Sequence, residues 1–209
     1  MWLQSTTKTG TLASETACEL MNKGVLTWCL VLVQLLCCML AQGGEPAEMV
    51  PGTKNGYRVS PELYRSGQPD ATDFRIFQAA GVKSVLNLQE YHRDTRKANG
   101  TRLQLMHYPV AASSMTLEDL EHIMLMLRRA PKPVLVHCRH GSHRTGMVVA
   151  VYRIVEQNAS VEEAMAEFTD ARYGYRPFWA GNLRRLLLET DWPAFKQRLN
   201  AAPPAQVND

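Results

Sequence analysis

The chain has 209 residues, 45% of them hydrophobic, which suits one domain with a substantial core. The formal net charge is only +3 and no block rich in lysine and arginine occurs, so the composition argues against a nucleic-acid-binding protein. Four of the five cysteines lie in the first 40 residues, and only Cys138 lies beyond them. The folded part therefore has a single thiol and cannot form an internal disulfide.

An uncharged apolar stretch, Val25–Ala41, follows Met21 and the positive Lys23 and precedes the polar QGGEPAE. This order is typical of a secretory signal peptide, although a retained membrane anchor is the alternative. Either segment predicts an extracytoplasmic location, periplasmic or secreted. We interpret the chain as a non-native extension (1–20), a signal peptide or anchor (21–43), a folded domain (50–199) and a disordered tail (200–209).

Strands and helices are predicted to alternate along the folded part. The strands are Tyr57–Ser60, Glu62–Ser66, Ser84–Gln89, Arg102–Tyr108 and Val134–Val136. The helices begin at Asp70 or Thr72, at Thr116, at Thr145 and at Ser160, and a last pair within 178–199 is broken near Trp192–Pro193. This alternation predicts an α/β fold whose central, mostly parallel sheet has four to five strands and is flanked by helices.

The stretch HCRHGSHRTG, residues 137–146, follows the last predicted strand. It contains four groups that can bind a metal: His137, Cys138, His140 and His143. A structural zinc site usually recruits a second pair of ligands from elsewhere in the chain, and no such pair is present. A metal site would also leave Gly141 and the RTG segment without a purpose, so we predict no metal.

An anion-binding loop accounts for the same residues. A short strand, a glycine-containing loop and the start of a buried helix would direct several backbone N–H groups at one point, where the helix dipole adds positive charge. That field favours the thiolate of Cys138, which is the nucleophilic form. Arg144 can grip two phosphate oxygens with its forked guanidinium. We expect the Thr145 hydroxyl to bond the sulfur and His137 to support the strand end.

The motif HCxxGxxRTG, with a C-x5-R core, resembles that of cysteine-dependent phosphatases. The resemblance to bacterial dual-specificity-type tyrosine phosphatases covers about residues 55–190, including LYRSGQP, SVLNLQEYH and YGYRPFWAGNLRRLL. It implies a protein tyrosine phosphatase-like fold and hydrolysis of phosphate monoesters through a thiophosphate on Cys138, without a cofactor. It assigns Arg144 to catalysis. The expected substrate-binding residues are Arg139, His140, Gly141, Ser142, His143 and Thr145.

The proton donor breaks the family pattern. The superfamily usually supplies it from an aspartate about 30 residues before the cysteine, but the segment there is PVAASSMT, residues 109–116, which has no acid. We predict that Asp94, in the loop after the SVLNLQ strand, is the donor and that it swings over the pocket. Glu118, Asp119 and His143 are the alternatives.

The sequence leaves the substrate open. Phosphotyrosine, phosphoserine and phosphothreonine of proteins are expected from the resemblance, but the basic residues of the loop also suit phosphoinositides, inositol phosphates or phospholipid head groups. An inactive phosphate-binding module or a rhodanese-type sulfur-transfer enzyme are the competing hypotheses. We expect a monomer that contacts membranes only through a possible N-terminal anchor and does not bind nucleic acid.

The N-terminal interpretation predicts the start of the mature protein. If residues 21–43 are a cleaved signal, protein recovered from outside the cytoplasm should begin near residue 44. N-terminal sequencing of that material is the measurement. A first residue at or before Met21 would show that the segment is retained.

Overall fold

The computed structural model describes residues 45–202. The predictions for 1–20 and 21–43, and the part of the predicted tail at 203–209, lie outside the described residues. Within 45–202, no helix has the length and apolar character needed to cross a bilayer.

One sheet organises the described residues, and its strand order is β1-β2-β3-β6-β4-β5. The strands are β1 (Glu48–Met49), β2 (Tyr57–Ser60), β3 (Leu63–Ser66), β4 (Ser84–Asn87), β5 (Gln104–His107) and β6 (Val134–His137). The pairs from β3 to β5 are parallel, whereas β1 and β2 add antiparallel at one edge. The predicted fold class is confirmed. The sixth strand, β1, has only two residues and gives no alternation that a sequence pattern could reveal.

The helices begin largely where their capping residues predict. They are α1 (Ala71–Ala79), α2 (Leu117–Arg129), α3 (His143–Gln157), α4 (Val161–Phe168), α5 (Gly181–Glu189) and α6 (Trp192–Ala201). Asp70 and Thr116 each accept hydrogen bonds from the first-turn amides of α1 and α2, which satisfies N–H groups that lack a partner within the helix. The last pair is broken at Asp191, which caps α6, so the break falls just before the predicted position.

Helices cover both faces of the sheet. On one face, Phe74 and Phe77 of α1 pack with Val85 and Leu135. On the other face, α3 is buried nearly all round, in agreement with its apolar sequence. The predicted apolar side of α2 is buried there as well, through Leu120, Ile123, Met124 and Leu127.

The strand order places the end of β6 at the centre of one sheet edge. In register, His137 lies beside Ser66 of β3 on one side and Asn87 of β4 on the other. Ligands of parallel α/β sheets bind outside the carboxyl ends of the strands. The residues that follow β3, β4 and β6 are therefore brought together at this edge.

Candidate active site

Cys138 is the first residue after β6, and Ser142 is the N-cap residue of α3. The intervening loop folds around the sulfur: Cys138 is only 3% exposed, and the Gly141 amide donates a hydrogen bond to its Sγ at 3.3 Å. The first amides of α3 have no partner within the helix, so they and the helix dipole act at the same point. The Gly141 amide and the N-terminus of α3 thus place positive potential at the thiol.

Three successive carbonyl groups of the loop are bound from outside. Arg139 O accepts from Gln68 N at 3.1 Å, His140 O from Asn55 Nδ2 at 2.8 Å and Gly141 O from Arg65 Nη2 at 2.9 Å. Because a trans peptide is planar, its N–H points away from its C=O. The amides of the three residues that follow these carbonyls are therefore directed to the inner side of the loop, where they can bind an oxyanion.

Gly141 is required where the loop touches β3. Its φ is +79°, a conformation that L side chains rarely adopt. A Cβ at this position would lie 2.6 Å from the Gly67 nitrogen and 2.7 Å from the Ser66 carbonyl carbon and oxygen. The loop can follow this path only without a side chain here.

Arg144 is held at the rim by main-chain groups of the neighbouring strand ends. Its Nη1 donates to Val110 O at 3.0 Å and to Leu88 O at 3.3 Å, and it lies 3.7 Å from the Glu90 carboxylate. Arg144 lines the same cleft as Cys138. The two residues that the resemblance assigns to catalysis are therefore brought together, with the guanidinium fixed before substrate arrives.

The four potential metal ligands of the motif do not converge. The His137 ring bonds Asp94 through Nε2 at 2.8 Å, and the His143 ring contacts the backbone of Arg176 at 3.1–3.2 Å. Across residues 45–202, no group of three or more His, Cys, Asp or Glu side chains is arranged to hold a metal ion.

Asp94 is not in the place that proton donation requires. It is 5% exposed, its Oδ2 is bonded to His137, and it does not line the cleft. The loop after β4 folds inward and buries it, so the prediction that it swings over the pocket disagrees with the structure. Its position instead fixes the His137 ring behind Cys138.

The alternative donors are also poorly suited. Burial raises the pKa of Asp119, but hydrogen bonds from Thr116 and Tyr108 outweigh that effect and lower it overall, so this cap residue stays ionised. Glu118 lies beside it in the first turn of α2 and does not line the cleft. Burial, followed by the nearby charges, lowers the pKa of His143 despite the opposing contact with the Arg176 backbone. A histidine with a lowered pKa is neutral at pH 7 and holds no acidic proton to give.

The remaining predicted substrate-binding residues differ in where they lie relative to the cleft. Thr145 is fully buried and its hydroxyl has no hydrogen-bond partner in residues 45–202, so the predicted bond to the sulfur is not formed. The Ser142 hydroxyl donates to Tyr173 O at 2.7 Å, which leaves its amide as the group directed at the site. Arg139 is exposed and outside the cleft lining, whereas His140 lines the cleft. Burial first, then the charges of Arg139, Arg144 and Arg176, lower the pKa of His140.

The residues that hold the loop from outside are not predicted from the sequence. Asn55 bonds both His140 O and Tyr173 O, and Arg65 lies buried beneath the loop. Arg65 carried one usable signal, as a charged residue within a short strand of buried residues. Asn55 lies in a polar turn and carried none.

The site opens into a cleft of about 1010 Å³, which is far larger than one phosphoryl group. Arg172 and Arg176 line the cleft, as do the aromatic residues Tyr57, Tyr173 and Trp179. Glu90 is the one carboxylate among the described residues that line it. The cleft therefore has room and positive charge for a substrate much larger than phosphate itself.

Gly141→Ala should weaken oxyanion binding by the loop. The added Cβ would collide with the backbone at the end of β3, so we expect the affinity for tungstate or inorganic phosphate to fall at least about tenfold. The strained backbone should separately lower the free energy of unfolding by roughly 1–3 kcal/mol. Gly100→Ala is the matched control, because Gly100 has φ +80° but nothing lies within 4 Å of its added Cβ. Calorimetric titration of both variants is the measurement. Equal losses in the two would contradict the close contact.

Comparison with known proteins agrees with this geometry. Residues 63–188 match the family model for the dual specificity phosphatase catalytic domain. The chain is 32% identical over 132 residues to the dual specificity protein phosphatase TpbA of Pseudomonas aeruginosa; the alignment covers 61% of this chain and 59% of that protein. It is 27% identical over 106 residues to the inositol diphosphatase DSP4 of Arabidopsis thaliana, covering 46% of this chain and 52% of that protein.

The fold is likewise shared with a solved structure. A crystal structure of P. aeruginosa TpbA, a cysteine-to-serine variant in complex with phosphotyrosine, superimposes with a TM-score of 0.69 and 26% identity, covering 75% of this chain and 96% of that one. The alignments with the two curated relatives span little more than half of their lengths. The family match extends over more than half of the present chain and contains the Cys138 loop, so the chain belongs to the dual specificity phosphatase family.

Proposed function

We propose that the protein is a phosphatase that uses Cys138 as its nucleophile and acts on phosphate monoesters, phosphotyrosine foremost. The observation that carries the proposal is one cleft in which the Gly141 amide bonds the Cys138 sulfur at the N-terminus of α3 and the prepositioned Arg144 forms part of the lining. The intact cysteine and arginine distinguish this site from an inactive phosphate-binding module. The relationship to TpbA, which carries phosphotyrosine in its crystal structure, supports the same substrate class.

The reaction has two displacements at phosphorus. In the first, the Cys138 thiolate attacks in line, the S–P bond forms, and the P–O bond to the leaving group breaks with its electron pair remaining on oxygen. In the second, water attacks the phosphorus, the S–P bond breaks, and the thiolate is regenerated with release of phosphate. Throughout, Arg144 and the loop amides stabilise the charge on the three equatorial oxygens by fixed geometry.

Cys138→Ser should remove turnover without removing binding. A serine hydroxyl is a much weaker nucleophile than a thiolate, so we expect kcat to fall by more than about a thousandfold. Tungstate should still bind, because the amides and Arg144 are unchanged. Steady-state kinetics and calorimetry are the measurements, with and without a chelator, which we expect to have no effect. Turnover that persists in the serine variant would rule out the proposed nucleophile.

The cleft lacks an obvious proton donor for the leaving group among the residues predicted for that role. The segment 109–116 has no acid, Asp94 is buried against His137, and the lowered pKa values of His140 and His143 leave both rings neutral at pH 7. General acid catalysis is worth roughly 10²–10⁴-fold. Such a site favours leaving groups that are stable as anions. Tyrosine, with a pKa of about 10, qualifies far better than the aliphatic alcohol of serine or threonine.

Substrate preference should follow leaving-group acidity. For two peptides that differ only in phosphotyrosine or phosphoserine, we expect kcat/KM to favour phosphotyrosine by about a hundredfold or more. A matched pair of aryl phosphates, p-nitrophenyl and phenyl phosphate, should show the same trend at constant size. Similar rates on both peptides would show that a proton donor operates, and Glu90→Gln would then identify whether Glu90 supplies it.

A second candidate substrate is a diphosphate of inositol. Its leaving group is a phosphate whose second pKa is about 6, so it needs no proton donor at all. The arginines and histidines of the cleft suit such a polyanion, and DSP4 is named an inositol diphosphatase. The same kinetic comparison decides this point, with inositol diphosphate and monophosphate added to the two peptides. A higher kcat/KM on the diphosphate than on phosphotyrosine would favour the second candidate.

A further inference from the structure

Arg65 is the largest charged side chain that the described core encloses completely. It belongs to β3, next to the central strand β6, and its exposure is 0%. Arginine is almost never fully buried unless it is paired, and its guanidinium stays protonated in proteins. A permanent positive charge therefore lies beneath the loop that carries Cys138.

The contacts of Arg65 tie it to that loop. Its Nη2 donates to Gly141 O at 2.9 Å, and its guanidinium lies 3.7 Å from the centroid of the Tyr173 ring. Gly141 in turn donates its own amide to the sulfur of Cys138. A single residue therefore separates the buried guanidinium from the thiol. Bonding of the Gly141 carbonyl also directs the Ser142 amide to the inner side of the loop.

The charge of Arg65 is only partly balanced. Glu167 lies 3.5 Å from its Nη1 but bonds Arg153 more closely, at 2.7 Å. These two arginines and one glutamate have a net charge of +1, since two cations share one anion. The cluster is enclosed, with the Arg65 and Arg153 side chains only 1% and 4% exposed, so solvent screens it weakly.

Other titratable groups face the guanidinium from the surrounding elements. Burial lowers the pKa of Arg65, and Glu167 of α4, Tyr173, Cys138 and Tyr57 of β2 act in the opposite direction. Asp170 and Arg172 also lie near, and Arg172 is bonded to Asp170 at 2.6 Å. A Coulomb interaction is mutual: an anionic sulfur that favours the charge of Arg65 is itself favoured by that charge.

We propose that Arg65 is a positioning residue that clamps the Gly141 peptide and supplies a buried positive charge that favours the thiolate of Cys138. This inference rests on the proposed role of Cys138 as a nucleophile. Glu167 has the opposite effect, because it neutralises part of the cluster, and the balance between the two sets the reactivity of the thiol.

The test is the pH dependence of the alkylation of Cys138 by iodoacetamide, an uncharged reagent, in the full chain. Mass spectrometry of the peptide that contains Cys138 separates it from the other four cysteines. Arg65→Met removes the charge, so we expect the midpoint of the curve to rise by about one pH unit, with about tenfold less reaction below the midpoint. Arg65→Lys retains the charge and should lie closer to the wild type.

Glu167→Gln is the matched control that separates charge from packing. It keeps an oxygen acceptor for Arg153 but removes the anion, so the midpoint should move down, opposite to Arg65→Met. Damage to the fold alone would move both variants in the same direction, and that result, or no shift in either, overturns the proposal. If thermal unfolding shows that Arg65→Met is not folded, the direction of the midpoint shift in Glu167→Gln alone tests the proposal.

Alkylation does not depend on turnover, so the two proposals can fail separately. A wild-type protein that hydrolyses no phosphate ester would remove the proposed function and leave the thiol measurement intact. If the wild type turns over substrate but the alkylation midpoint is unchanged in the Arg65 and Glu167 variants, only the proposed role of Arg65 is overturned.

Discussion

A trans peptide cannot present its carbonyl and its amide hydrogen to the same side, and the loop after β6 depends on this constraint. Each carbonyl from Arg139 to Gly141 has a donor outside the loop. These donors come from three separate places: the turn before β2, β3 itself and the residues that follow β3. Hydrogen bonds on the outer side of the loop therefore turn its amides inward. Without those donors, the carbonyl groups would be free to turn toward an incoming phosphate and repel it.

The features of this protein that can be predicted from its sequence are those determined by residues close together in the chain. The alternation of strands and helices, the caps at Asp70 and Thr116 and the strand–loop–helix geometry around Cys138 follow from neighbouring residues, and the structure agrees with them. The short strand β1 is different, because it exists only through its pairing with β2. The break between α5 and α6 lies at Asp191, next to the predicted Trp192–Pro193, and Pro193 falls in the first turn of α6, where its missing N–H would have had no partner in any case.

Roles that depend on burial could not be read in the same way. Asp94 has the sequence surroundings of an exposed loop residue, with arginines at 93 and 96, yet the loop folds over it and presents it to His137. Thr145 follows the family motif, but its hydroxyl does not reach the sulfur. Arg65 shows the reverse case, since a charged residue lies fully buried in the core. For Asp94 and Arg65 the deciding neighbours, His137 and Gly141, are more than 40 residues away in the sequence.

The turn that holds Asn55 changes what should be regarded as the functional unit of this chain. The family match begins at residue 63, whereas Asn55 and Tyr57 precede it and still contribute to the cleft. Asn55 links His140 to Tyr173 and so ties the two ends of the domain to one loop. The segment before the family match is thus a working part of the pocket, because it supplies one of the three outer donors of the loop. A fragment that began at residue 63 would keep Cys138 and Arg144 and yet lose the donor that holds the His140 carbonyl outward.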